Sequence, residues 1–289
     1  MPRRHDIDAL RVIAFSLLLL YHTAMLYVAP IALWSFLLKS THLAEWLHYP
    51  MLFLNRWRME LLFLISGVSL QFMLKSGRVS PFRVLLQRHQ RLVLPLLFGM
   101  AVIVPCQAWL HALQDGRSQA GYWWFWSHDY FTHIPSQDGP TWAHLWYLAY
   151  LWCYTLPLLI GIALCRYLPC CRWLTQRPGW LQGRGLLLWP ALPLIAYGYW
   201  LQPGFPENHG LIDDWYAHAI YLTLFLYGYL LGRPGSSVWA ALTMQRRQAS
   251  ALALGCFLPW LFLDKFAGHI HWQAIPPDVQ WIAHWIWLC

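Results

Sequence analysis

The chain has 289 residues, of which 58% are hydrophobic and 11% are charged, whereas a water-soluble domain carries about 25% charged residues. This composition excludes an ordinary soluble domain, which would have to expose large apolar patches to water. The net charge of +8 does not indicate nucleic-acid binding, because the basic residues lie in short segments between apolar runs, as in a membrane-topology signal.

The apolar runs predict seven transmembrane helices, because about 20 apolar residues cross a hydrocarbon core about 30 Å thick. In chain order they cover residues 10–29, 51–74, 92–113, 143–165, 186–201, 217–232 and 249–263. A partial eighth span covers residues 279–289 and is too short to cross. Lipid offers no partner for backbone amides, so the expected fold is an all-α polytopic transmembrane helix bundle. We expect one membrane domain over residues 1–289.

The distribution of Lys and Arg predicts the orientation. If the N-terminus is cytoplasmic, fifteen of the twenty basic residues fall in cytoplasmic segments, as the positive-inside rule requires. The longest loop, residues 114–142, is then outside. The seven Cys form no C-x-x-C pair, so no metal site is expected. The sequence contains no Walker loop, G-x-S-x-G elbow or G-x-G-x-x-G fingerprint.

Arg11 and His22 lie eleven residues apart on the first predicted span. Eleven steps of about 100° return to nearly the same helix face. An ionisable residue several turns inside a span is a functional hypothesis by default, and an imidazole can take a proton from a hydroxyl as a general base. The alternative is a histidine that is hydrogen-bonded between helices for packing.

The second span opens with a polar group that contains Arg58 and Glu60. Counted from residue 51, Glu60 reaches a depth close to that of His22. A carboxylate at that depth could orient the imidazole. The alternative is a structural Arg58–Glu60 pair, although residues two apart on a helix point to different faces.

Arg88 and Arg91 precede the apolar part of the third span and share one helix face. Together with Arg83 and Arg11 they could form a cytoplasmic basic pocket, since arginine binds phosphate through a planar fork. Coenzyme A carries several phosphates and is made in the cytoplasm. The alternative is a topology signal that contacts anionic lipids.

Two further patterns are weaker indications. His133 with Asp138 and His209 with Asp214 both match the H-x4-D signature of soluble and lipid acyltransferases, but both lie outside, away from cytoplasmic acyl donors. The aromatic residues 122–126 could stack on sugar rings, and an interfacial aromatic belt is the more ordinary interpretation.

Four motifs, in this order, resemble the membrane acyltransferase-3 family. They are Arg11-x10-His22, the segment from Arg58 to the Phe-x-x-Ser-Gly that ends at Gly67, Arg88-x-x-Arg91, and the stretch 139–148 that contains His144-Leu-Trp-Tyr-Leu. The resemblance covers nearly the whole chain. Within the family it is nearest to the branch that contains the glucan biosynthesis protein C.

The resemblance implies a multi-pass protein of the bacterial inner (plasma) membrane that moves an acetyl or succinyl group from cytoplasmic acyl-CoA to a hydroxyl of an exported or periplasmic carbohydrate. It places Arg11 and His22 in the catalytic centre, assigns donor handling to Arg88 and Arg91, and suggests a catalytic role for Glu60. Acyl-CoA would be a co-substrate, with no permanently bound cofactor. The expected partners are acyl-CoA, a glucan or other glycan acceptor and membrane lipids, without nucleic acid; a homo-oligomer stays open.

Other readings of the same residues remain. Members of the family have more helices than are predicted here, so we expect the family's last helices to be missing from this chain. That expectation leaves room for a non-catalytic membrane subunit. Alternatively, Arg58, Glu60 and His22 could line the path of a transporter or flippase.

Overall fold

A computed structural model describes residues 4–28, 40–75, 80–132, 140–165, 185–233 and 238–266. Its α-helices are α1 (His5–Ala24), α2 (His48–Asn55), α3 (Arg58–Lys75), α4 (Pro81–Phe98), α5 (Val104–Gln114), α6 (Tyr122–Trp124), α7 (Trp146–Cys165), α8 (Gly185–Leu188), α9 (Ala191–Trp200), α10 (Trp215–Leu231) and α11 (Val238–Phe266). Short 3-10 turns cover Met25–Tyr27, Glu45–Leu47 and Ala143–Leu145, and π-helical turns cover Gly99–Ile103 and Phe125–Tyr130. No strand occurs in these ranges, so the all-α prediction is confirmed for them.

Four helical segments of the described chain are long and apolar enough to cross a membrane. They are His5–Tyr27, His48–Leu74, Pro81–Gln114 and Ala143–Leu164. They correspond to the first four predicted spans. The third is much longer than its prediction, because α4 continues through the π-helical turn into α5.

The predicted count of seven spans and a partial eighth is not supported. The fifth predicted span is broken into α8 and the ten-residue α9. The sixth corresponds to α10, whose seventeen residues stand at the lower limit for crossing. The seventh lies in α11, where Arg247 and Asp264 leave too short an uncharged stretch between them. The predicted eighth span falls outside the described residues.

The chain divides into two compact units. The first contains Met1–Leu62 and Ser76–Leu164, and the second contains Phe63–Lys75 and Cys165–Cys289. All five site residues predicted from the sequence belong to the first unit.

Helix α1 has one buried stripe and an exposed apolar surface. Ile7, Ala14 and Tyr21 are buried, and their spacing of seven residues keeps them on one face. Exposed apolar side chains such as Leu19 and Leu20 lie elsewhere on the helix, as expected for a helix that faces lipid. The helix begins at His5, earlier than predicted, because acidic residues in its first turn favour the positive end of the helix dipole.

The break between α4 and α5 follows from the chemistry of Pro105. Proline has no N–H to donate to the Ala101 carbonyl four residues earlier. The Trp126 indole N–H donates to that oxygen at 2.8 Å instead, and the Tyr130 hydroxyl donates to the Met100 carbonyl at 2.8 Å. Burial raises the pKa of Tyr130 above its ordinary value, so the phenol stays protonated as a donor well into the alkaline range. The segment Tyr122–Tyr130 is thereby fixed against the helix break.

In the second unit, two glycines permit a close helix crossing. A Cβ atom at Gly67 of α3 would overlap the Phe225 carbonyl of α10, and one at Gly228 of α10 would overlap the Leu64 carbonyl of α3. Small residues allow membrane helices to approach at backbone distance. The rings of Phe63 and Tyr221 stack beside the crossing, with centroids 4.5 Å apart.

Candidate functional site

A basic cluster lies around Arg11 in the second turn of α1 and Arg88 in the middle of α4. The Arg88 side chain is buried, with 7% of its surface exposed. The Arg11 and Arg91 guanidinium groups and the Tyr147 phenol are all within electrostatic range of it. Arg91 is exposed and Arg11 is half-buried. The structure therefore brings three of the predicted site residues into one neighbourhood.

Local structure explains how Arg88 comes to be buried. Ser80 caps α4 by accepting the backbone N–H of Arg83. From this start, Arg88 falls on the same helix face as the buried residues Val84 and Leu92. The Tyr147 hydroxyl of α7 donates to the Leu62 carbonyl at 3.1 Å, which fixes the phenol that is within electrostatic range of Arg88.

A pair of histidines lies at the opposite end of α1. His22 is in the last turn of that helix and is half-buried. Its imidazole meets the imidazole of His144 edge to face, with ring centroids 5.7 Å apart. His144 stands in the 3-10 turn that leads into α7 and is exposed. The His22 ring therefore faces another protein side chain.

Arg58 lies beside this pair. Its side chain is 2% exposed, and its guanidinium carbon is 3.8 Å from the centroid of the Tyr21 ring. The Tyr21 ring in turn contacts the His22 ring at 5.8 Å, and Arg58 is within electrostatic range of His22. Stacking on the face of an aromatic ring is a favourable way to stabilise the positive charge of a buried guanidinium.

Glu60 lies in the first turn of α3 and is half-buried. It belongs to the same unit as His22. Whether its carboxylate orients the His22 imidazole stays a prediction.

The two clusters are joined by α1. Eleven residues separate Arg11 from His22, which corresponds to about 17 Å along an α-helix. One end of this arrangement gathers guanidinium groups that suit a phosphate-bearing ligand. The other end gathers imidazoles that can accept and donate protons. An elongated anionic molecule that reacts at its far end would use both clusters.

The H-x4-D pattern of the second unit has a structural explanation. Asp214 is fully buried, and its carboxylate accepts the backbone N–H groups of Asn208 and His209. The His209 imidazole pairs with Glu207 at 2.8 Å. The Asp214 carboxylate therefore stabilises the loop of residues 208–214, which explains the H-x4-D pattern structurally. The other match, His133 with Asp138, falls outside the described residues.

The aromatic segment of residues 122–126 includes two exposed indoles, those of Trp123 and Trp124. The Trp124 ring stacks on the ring of His128, with the planes 7° apart. Sugar stacking and an interfacial belt both stay predictions for this segment.

His144 is a site residue that could not be assigned a role from the sequence, where it stands only as part of a motif. The contact with His22 joins two distant parts of the chain, and helical periodicity carries no information about such a pair. The only sequence signal was the His144-Leu-Trp-Tyr-Leu motif itself.

The described part of the chain is helical and contains four apolar spans. With guanidinium groups towards one end of α1 and imidazoles at the other, it defines a membrane protein with polar side chains among its helices. The family model described as an acyltransferase domain, that of the acyltransferase-3 family, matches residues 4–289. The chain belongs to the acyltransferase-3 family, and its class of activity is acyl transfer. No curated protein and no solved structure matches it.

Proposed function

We propose that the protein is a multi-pass O-acyltransferase of the bacterial inner membrane. It moves an acetyl or succinyl group from cytoplasmic acyl-CoA to a hydroxyl of a periplasmic glucan, as in the glucan biosynthesis protein C branch. Its N-terminus is cytoplasmic in this proposal, which places the basic cluster on the donor side and the histidine pair towards the acceptor. Family membership favours this enzyme over the transporter and the non-catalytic subunit.

The basic cluster binds the donor. Arg91 is exposed and meets the phosphates of coenzyme A first. The buried Arg88 and the half-buried Arg11 then bind the phosphate oxygens that reach further into the protein. Guanidinium groups bind phosphate oxygens in a bidentate manner. The extended pantetheine arm then follows α1, which carries the thioester from Arg11 towards His22.

The histidine end carries the chemistry. His22 accepts the proton of the acceptor hydroxyl while the hydroxyl oxygen attacks the thioester carbonyl. The carbon–sulfur bond then breaks, and the coenzyme A thiolate leaves and takes the proton from the imidazolium. Glu60 orients the imidazole. Arg58 is fixed on Tyr21 within electrostatic range of His22, so its positive charge stabilises the oxyanion that forms during attack.

One observation carries the proposal: α1 has His22 in a protein-facing position at one end and Arg11 beside the buried Arg88 at the other. The test uses the full chain in proteoliposomes with radiolabelled acetyl-CoA or succinyl-CoA and a periplasmic glucan fraction. Replacing His22→Ala should lower label transfer by roughly 100-fold or more, the usual contribution of a general base. His22→Gln should lose activity similarly, because an amide cannot accept the proton.

The matched control is His42→Ala, at an exposed loop histidine, which should transfer label at the wild-type rate. Equal thermal unfolding of all variants in detergent establishes that they are folded. Wild-type transfer by a folded His22→Ala variant would refute the role of the imidazole. Passage of unmodified glucan without consumption of acyl-CoA would instead support a transporter.

A further inference from the structure

His144 meets the catalytic candidate His22 from a separate element. The two imidazoles are 5.7 Å apart between centroids and inclined by 60°. His22 is half-buried, whereas His144 is exposed. His22 is therefore the more enclosed of the two rings, and His144 is the one that solvent or a substrate reaches more easily. A single hydroxyl group between them could give its proton to one ring and accept a hydrogen bond from the other.

The backbone around His144 is held tightly. The preceding residue, Ala143, has φ of +40°, a conformation that costs about 1–3 kcal/mol for a residue other than glycine. The Ala143 amide donates to the Thr141 hydroxyl at 3.3 Å, and the Leu145 amide donates to the Trp142 carbonyl at 2.6 Å. Strain of this kind persists where the surrounding structure enforces it, and it is concentrated at functional sites.

Packing on both sides of His144 holds the strained backbone in place. Ala143 and Leu145 both pack against the core cluster of Val104 and its neighbours. The Leu145 side chain occupies the space that a Cβ atom at Gly99 would fill. His144 thus stands between two residues anchored in the core, while its own ring is directed to an exposed position beside His22.

We propose that His144 binds the acceptor hydroxyl and presents it to His22, an inference that rests on the acyltransferase function proposed above. A ring N–H of His144 donates a hydrogen bond to the hydroxyl oxygen, and His22 accepts the hydroxyl proton. The new oxygen–carbon bond forms first, the carbon–sulfur bond then breaks, and the proton passes from His22 to the departing thiolate. His144 exchanges no proton with the substrates. It selects an acceptor with a free hydroxyl and leaves donor binding to the basic cluster.

The test measures kcat/KM separately for glucan and for acetyl-CoA or succinyl-CoA, whichever the wild type uses, with the full chain in proteoliposomes. His144→Ala and His144→Phe should lower kcat/KM for glucan by about 10-fold to 100-fold, because one hydrogen bond to the reacting oxygen is lost. His144→Asn retains an N–H donor and should restore part of the loss. The KM for acyl-CoA should stay within about twofold of wild type, because the basic cluster is unaltered.

A purely structural histidine gives a different pattern. His144→Phe keeps the ring, so a packing role would leave this variant active and make His144→Asn the poorer one. That result, or wild-type kcat/KM for glucan in all three variants, would overturn the inference while the loss in His22→Ala still upholds the proposed function. A wild-type protein that transfers no acyl group would overturn both. His144→Gln provides a second N–H-bearing variant if His144→Asn unfolds at a lower temperature.

Discussion

At the scale of single residues, the two arginines of α4 that are proposed to bind the donor, Arg88 and Arg91, differ in their exposure. Arg88 is a guanidinium with little exposed surface, and a charge of that kind is costly to hold without compensating partners. Arg91, three residues further on, is exposed. The exposed residue is therefore the better one to alter, because its replacement removes a ligand contact without disturbing the interior.

Arg91→Gln should raise the KM for acyl-CoA about tenfold, the effect of losing one charge-assisted phosphate contact, and should alter kcat little. The measurement is steady-state transfer from acetyl-CoA and from acetyl-dephospho-CoA, because a lost phosphate contact should narrow the difference between these donors. Arg247→Gln, at an exposed arginine of α11, removes the same charge elsewhere. If Arg247→Gln raised the KM for acyl-CoA equally, the effect of Arg91→Gln would be due to the lower net charge and not to a lost phosphate contact.

Residue periodicity accounts for much of this site. The eleven-residue spacing predicts one face for Arg11 and His22, and both are half-buried on α1. The three-residue spacing relates Arg88 to Arg91 in the same way. It does not predict that one is buried and the other exposed, because that depends on which neighbouring helix covers the face. His144 and the Arg58–Tyr21 stack could not be found from spacing, since they bring together separate elements.

At the scale of elements, the π-helical turn at Gly99–Ile103 depends on donors from outside its own helix. Trp126→Phe keeps an aromatic ring but removes the N–H that pairs with the Ala101 carbonyl. The free energy of unfolding should fall by about 1–3 kcal/mol, because a partly buried carbonyl loses its donor. The midpoint temperature of thermal unfolding in detergent measures the change.

The control for this change is Trp123→Phe. Trp123 is 76% exposed, so the same loss of an indole should leave the unfolding temperature close to that of wild type. If both variants unfold at the same lowered temperature, the hydrogen bond to the helix break does not contribute to stability.

The helices also show which structural features hydropathy predicts and which it does not. The first four spans were located because long apolar runs between charges admit no other structure in lipid. The π-helical turn was missed because hydropathy does not register where a proline interrupts the hydrogen bonds of a continuing helix. In the second unit, α10 is one turn or so shorter than an average span and α11 carries charges inside it. Within the described residues, four of the seven predicted spans are therefore supported.

At the scale of the whole molecule, the proposed orientation makes a direct prediction. Single cysteines are introduced as Gln119→Cys or Gln248→Cys in a variant that lacks the seven native cysteines. Both positions are exposed. In intact cells, a membrane-impermeant maleimide should label position 119, in the proposed outer loop, and should not label position 248, because the positive-inside rule places the arginines beside it in the cytoplasm.

Permeabilised membranes provide the control, because both cysteines should react there. Labelling of position 248 alone in intact cells would show that the orientation is the opposite of the one proposed. It would also place the basic cluster on the side where acyl-CoA is absent, and the donor assignment would then fail together with the topology.

The crossing of α3 and α10 has a genetic consequence. At Gly67 and Gly228 each helix meets the other's main chain, so there is no opposing side chain that could shrink to accommodate an enlarged residue. A mutation to a bulkier residue at either glycine should therefore have no compensating partner directly across the contact. Revertants selected for recovered acyl transfer should restore glycine itself, and second-site suppressors at this crossing should be rare.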